Sequence, residues 1–150
     1  MRIKAVDIIN GIYMITEQHY AYHLTLKDNM DGIMRKGLIP QCGTNCKRVD
    51  DTSVGVHFCD SLQAMFDFWI EALYEKRDRR ELELLRVNIQ NREFQKLCSG
   101  EPYVPGECIL LNGVTPKKID FLQHTENGIV YSENPIWVPI KKYEIHKKMI

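Results

Sequence analysis

Three residues separate Cys42 from Cys46, and His57 and Cys59 follow. Thiolate and imidazole are the common ligands of tetrahedral zinc, and Cys-x3-Cys fits the first half of such a site. The second half fits poorly. His57 and Cys59 alternate along a predicted strand and share one face, which gives no second ligand arm. The simpler reading is two loop thiols and one small core residue, and no metal is expected. A Cys nucleophile with a His base is the other chemistry these residue types allow. Nothing in the sequence marks which thiol would be activated.

A different signal comes from an aromatic residue. Leu62, Met65, Phe66, Trp69, Ile70 and Leu73 form one apolar stripe at helical spacing. Phe68 lies well off that stripe, with the small residues Ser61, Ala64 and Ala72 on its side. Such an aromatic either lines a cleft or serves as a second core or partner contact. No Gly-rich phosphate loop, His-Glu-x-x-His or Gly-x-Ser-x-Gly motif occurs.

The elements that must position these residues read as α+β. Ile3–Ile9 and Ile12–Ile15 flank Asn10-Gly11, a strong hairpin signal. Tyr20–Leu26 is a strand, and a short helix spans about 29–36, with Gly37 placed to stop it in a left-handed conformation. Gln41–Ser53 is a long polar loop. Val54–Phe58 is a strand, and Asp60 or Ser61 can cap the helix that runs to about Glu75. Leu82–Ile89 is a strand ended by Asn91. Arg92–Cys98 reads as a short helix closed by Gly100. Strands follow at Glu107–Leu111, Ile119–Leu122, Ile129–Tyr131 and Ile136–Ile140, with turns at Val114-Thr115-Pro116 and Glu126-Asn127-Gly128.

Length and composition bound the function classes. The 150 residues predict one domain, and a 44% apolar, 27% charged balance predicts a packed core. Lys plus Arg and Asp plus Glu are both 20, so bulk basic charge gives no argument for a nucleic-acid binder. No apolar run reaches the length of a membrane span. Met1–Asn10 has no signal-peptide core, and the five cysteines are an odd number. Reduced thiols and a cytoplasmic setting are therefore expected.

Three ordered blocks carry a resemblance. Tyr22-His23-Leu24-Thr25, the short helix and Gly37-Leu38-Ile39-Pro40 form the first. Val54-Gly55-Val56-His57-Phe58-Cys59-Asp60-Ser61 forms the second. Gly106-Glu107-Cys108-Ile109-Leu110 and Val114-Thr115-Pro116-Lys117-Lys118-Ile119 form the third. In this order the blocks resemble the three motifs of the ADP-ribosyltransferases, which include the poly(ADP-ribose) polymerases and DNA-targeting toxins. They span about residues 22–122 of a single domain.

The resemblance implies split or packed antiparallel β-sheets with a few flanking helices. It implies NAD as a substrate rather than a resident cofactor, with transfer of ADP-ribose or simple hydrolysis of NAD. The setting it suggests is that of toxin, defence or phage modifying enzymes. The acceptor, protein or nucleic acid, is not readable. Glu107 takes the place of the catalytic glutamate that holds the ribose 2′-hydroxyl. His23 matches the ribose-binding histidine, with Thr25 two residues on. His57 stands where the family has a tyrosine near nicotinamide, a departure from the pattern. Phe68 falls at the position of the aromatic that stacks on nicotinamide. The departure at His57 keeps open a non-catalytic NAD- or nucleotide-binding or interaction module on the same fold.

Overall fold

The computed structural model describes residues 2–40, 55–95 and 107–150. The expected loop at 41–53, with Cys42 and Cys46, and the stretch 96–106 lie outside the described residues. Among the described residues nine strands form the sheet: β1 (Ile3–Asp7), β2 (Ile12–Ile15), β3 (Tyr20–Leu26), β4 (Val56–Cys59), β5 (Leu82–Asn88), β6 (Glu93–Gln95), β7 (Glu107–Leu110), β8 (Ile119–Leu122) and β9 (Trp137–Pro139). Their order is β1-β2-β6-β7-β4-β3-β5-β8-β9, and every neighbouring pair is antiparallel. This is one α+β sheet, where the sequence predicts two packed or split sheets.

The junction in the middle of that sheet is narrow. β3 pairs with β5 over seven residues and β4 with β7 over four. β3 and β4 meet through one pair, Tyr22 opposite Cys59. Side chains alternate faces along a strand, so β5 feeds two cores. Leu85 and Val87 join Met30, Phe58, Phe121 and Tyr143 on one face. Leu82 and Leu84 join Leu24, Met65, Trp69 and Leu122 on the other. Burial on both sides explains why Leu82, Leu84, Leu85 and Val87 fall on both faces of this strand rather than on one.

Three short helical segments cover the faces. α1 (Met30–Lys36) follows β3 through a 3-10 turn at Lys27–Asn29. The second begins as α2 (Leu62–Ala64), widens into a π-helical turn at Met65–Trp69 and continues as α3 (Ile70–Tyr74). Ser61 caps it, its Oγ accepting from the Ala64 N–H at 3.1 Å. The wide turn is a real backbone feature: the Ile70 N–H reaches back five residues to the Met65 carbonyl. α4 (Tyr143–Met149) closes the described chain. Among the described residues no helix is long and apolar enough to cross a membrane.

Local signals explain most of these boundaries. Gly11 has a φ of 68° in the β1–β2 hairpin, as Asn-Gly turns require. Gly37 ends α1 with a φ of 78°, its N–H bonded to the Ile33 carbonyl. A Cβ there would collide with the Val114 carbonyl oxygen, because Leu38 and Val114 exchange two backbone hydrogen bonds of 2.9 Å. Two expectations are corrected. Glu93–Gln95 is strand β6, not the start of a helix, since it pairs with β2 and β7. Ile129–Tyr131 forms no strand; Thr125 and Gly128 make an isolated bridge instead, and Ile129 simply fills the second core.

Candidate active site

The narrow junction opens into a cavity of about 680 Å³, within the ~300–1,000 Å³ range of small-molecule sites. His23 and Thr25 of β3, His57 of β4 and Glu107 of β7 all line it. They come from three strands far apart in sequence. The register explains the meeting of two of them. Cys59 stands opposite Glu107, and His57 is two residues along on the same face. The His57 Nδ1–H donates to Glu107 Oε1 at 3.1 Å.

The electrostatics are those of a partly dry site. The Glu107 side chain is 5% exposed and that of His57 25%. A buried carboxylate needs a partner to remain tolerable, and His57 supplies one. His23 faces the junction from the other side. Its Nδ1 lies 2.7 Å from the His57 backbone oxygen. A carbonyl only accepts, so Nδ1 carries the proton and Nε2 is an acceptor. Burial, its largest influence, holds the His23 pKa below the ordinary value; the His57 carbonyl opposes this and the His57 ring adds to it. His23 is thus neutral at pH 7, with one donor already committed. Thr25 is buried, and its Oγ1 accepts from Asn29 Nδ2 at 3.1 Å.

Cys59 also borders the cavity, but its chemistry is quiet. Burial pushes its thiol up to about 11, and its Sγ donates to the Ser61 carbonyl at 3.2 Å. A protonated thiol at neutral pH is a poor nucleophile, and the imidazole of His57 is turned to Glu107 instead.

Phe68 does not join this set. It is 38% exposed and does not line the cavity; its ring sits edge-on to Trp69, 5.4 Å away. The off-stripe position that set it apart puts it on the outer side of the helix. Trp69, on the apolar stripe and buried, reaches the cavity wall. Sequence reasoning missed Trp69, Asn29, Lys36 and Arg77 as lining residues. For Trp69 no signal was available, because a stripe residue facing a cavity has the same periodicity as one facing the core. Asn29 stood at the expected start of α1, where it read as a helix boundary.

Compared with family models, curated proteins and solved structures, the chain has no significant match in any of the three.

Proposed function

We propose that the protein cleaves the nicotinamide–ribose bond of NAD, as an ADP-ribosyltransferase or NAD glycohydrolase. The observation that carries this reading is the arrangement at the junction. A buried carboxylate, Glu107, is paired with His57 and shares one cavity with the neutral imidazole of His23. β3 and β4, although joined in one sheet, meet through a single residue pair, which approaches the split arrangement that the motif resemblance implies.

The chemistry asks for such groups. The bond between ribose C1′ and the nicotinamide nitrogen breaks with its electron pair leaving on nicotinamide, which departs neutral. Positive charge develops on the ribose ring. A preorganised carboxylate in a water-poor cleft stabilises that charge, and Glu107 can also accept from the 2′-hydroxyl. His57 holds the carboxylate in one orientation. His23 offers Nε2 as an acceptor for a ribose hydroxyl. The oxygen of water or of an acceptor group then attacks C1′ and gives up its proton to solvent.

A non-catalytic nucleotide-binding module is the second reading. It is favoured by His57 standing where the family has a tyrosine, with its hydrogen bond already occupying the carboxylate. Two measurements on the purified protein separate the readings: NAD binding by calorimetry, and nicotinamide release by chromatography. Binding with release supports the enzyme. Binding without release, with water and with candidate acceptors, supports the module. No binding removes both.

A further inference from the structure

Asn29, Gly32, Ile33 and Lys36 all line the cavity. They fall at i, i+3, i+4 and i+7, so they form one face running along α1. Glycine inside a helix is unfavourable relative to alanine, because it loses more backbone freedom on folding. Elsewhere in this fold the cost has a visible cause. At Gly37 an added Cβ would strike the Val114 carbonyl, and at Gly55 it would strike Ile109. Gly32 has neither excuse. It is not among the positive-φ residues, and a Cβ built on it meets no atom within 4 Å. A methyl group would fit the protein and favour the helix, at the expense of cavity space.

We infer that Gly32 is a specificity-determining position, leaving the α1 backbone bare so that substrate packs directly against it. This rests on the dinucleotide reading above. Asn29 is tied to Thr25 of β3, whereas Glu107 and His57 belong to β7 and β4 across the junction. The other end of α1 is tied through Leu38 to Val114, beyond β7, so the wall bridges the two sides. With the cleaved ribose at Glu107, adenosine and phosphate are the groups left to lie along it. Lys36 lies about 6 Å further along the same face at the helical rise per residue. It supplies a cation at the end of that wall, where a phosphate oxygen can pair with it.

The test uses Gly32→Ala and Gly32→Leu in the full chain, with ADP as the probe for the remote half and NAD as the substrate. Without ligand, Gly32→Ala should raise the unfolding temperature by about 2 °C. Calorimetry should show ADP binding weakened by about 10-fold in Gly32→Leu, and KM for NAD raised similarly. A lowered unfolding temperature for Gly32→Ala would overturn the inference, since the glycine would then be structural. So would a Gly32→Leu variant that binds ADP and NAD as tightly as the wild type. If the wild type binds ADP in a Gly32-dependent way but never releases nicotinamide from NAD, the subsite stands and the NAD-cleavage reading falls. If the wild type binds neither ligand, both fall.

Discussion

His23 donates through Nδ1 to the backbone carbonyl of His57 at 2.7 Å, bridging β3 and β4 just beyond the single residue pair that joins them. One side chain thus contributes to the narrowest part of the sheet and to the wall of the cavity. It also fixes its own tautomer by doing so, because the carbonyl can only accept.

Replacing His23 therefore has two separable effects. His23→Ala removes a hydrogen bond worth ~0.5–1.5 kcal/mol and should lower stability by about that amount or somewhat more, measured by urea denaturation. It also removes the Nε2 acceptor, so NAD affinity should fall while the rate at saturating NAD falls less. An unchanged affinity would take His23 out of the binding site.

A second polar cluster governs the pH dependence of stability. Glu83 is fully buried; its Oε2 accepts from the Tyr143 hydroxyl at 2.5 Å, and its Oε1 lies 2.8 Å from His124 Nε2. The Nδ1 of His124 faces the Thr125 carbonyl at 2.6 Å, so both ring nitrogens have acceptors and the imidazolium is favoured. Burial alone would lower the His124 pKa; the hydrogen bonds to Glu83 and to the Thr125 carbonyl outweigh it, and the value is raised above the ordinary 6.5. A raised value stabilises the fold below pH ~6.5 and loses that contribution as pH rises through the folded-state pKa. His23 and His146 have lowered values and act in the opposite direction. Denaturation of wild type and His124→Gln across pH 5–9 isolates the effect: the stability difference between them should shrink as pH rises. A difference that is flat or grows would contradict the assignment.

The close approach at Gly37 gives a prediction of opposite sign to that for Gly32. Its positive φ and the adjacent Val114 carbonyl leave no room for a side chain. Gly37→Ala should cost ~1–3 kcal/mol, read as a lower denaturation midpoint. A neutral change would mean that the α1 end and the Leu38–Val114 bridge shift freely.

What the sequence revealed follows from the range of the interactions involved. The β1–β2 hairpin, α1 and β8 were legible because Asn10-Gly11, the Gly37 stop and the Val114-Thr115-Pro116 turn act locally. β6 was misread because Glu93–Gln95 owes its conformation to two distant partners, β2 and β7. α4 was missed, its Tyr143 being anchored on Glu83 sixty residues away. The ordered blocks pointed to His23, Thr25, His57 and Glu107 together, and these four line one cavity, although their meeting depends on strand register. Phe68 was misassigned because an off-stripe aromatic is equally suited to a cleft or to solvent, and the packing of the helix decided for solvent.

The most direct measurement is nicotinamide release from NAD by the wild type and by Glu107→Gln, made beside calorimetric titration of both with NAD. Glutamine keeps the size of Glu107 and removes its charge. The variant should bind NAD with similar affinity, and turnover should fall by ~10²–10³ as expected for loss of a preorganised electrostatic group. Wild-type turnover that survives in Glu107→Gln, or a wild type that binds NAD and never releases nicotinamide, would contradict the assignment of Glu107 as the charge that drives cleavage.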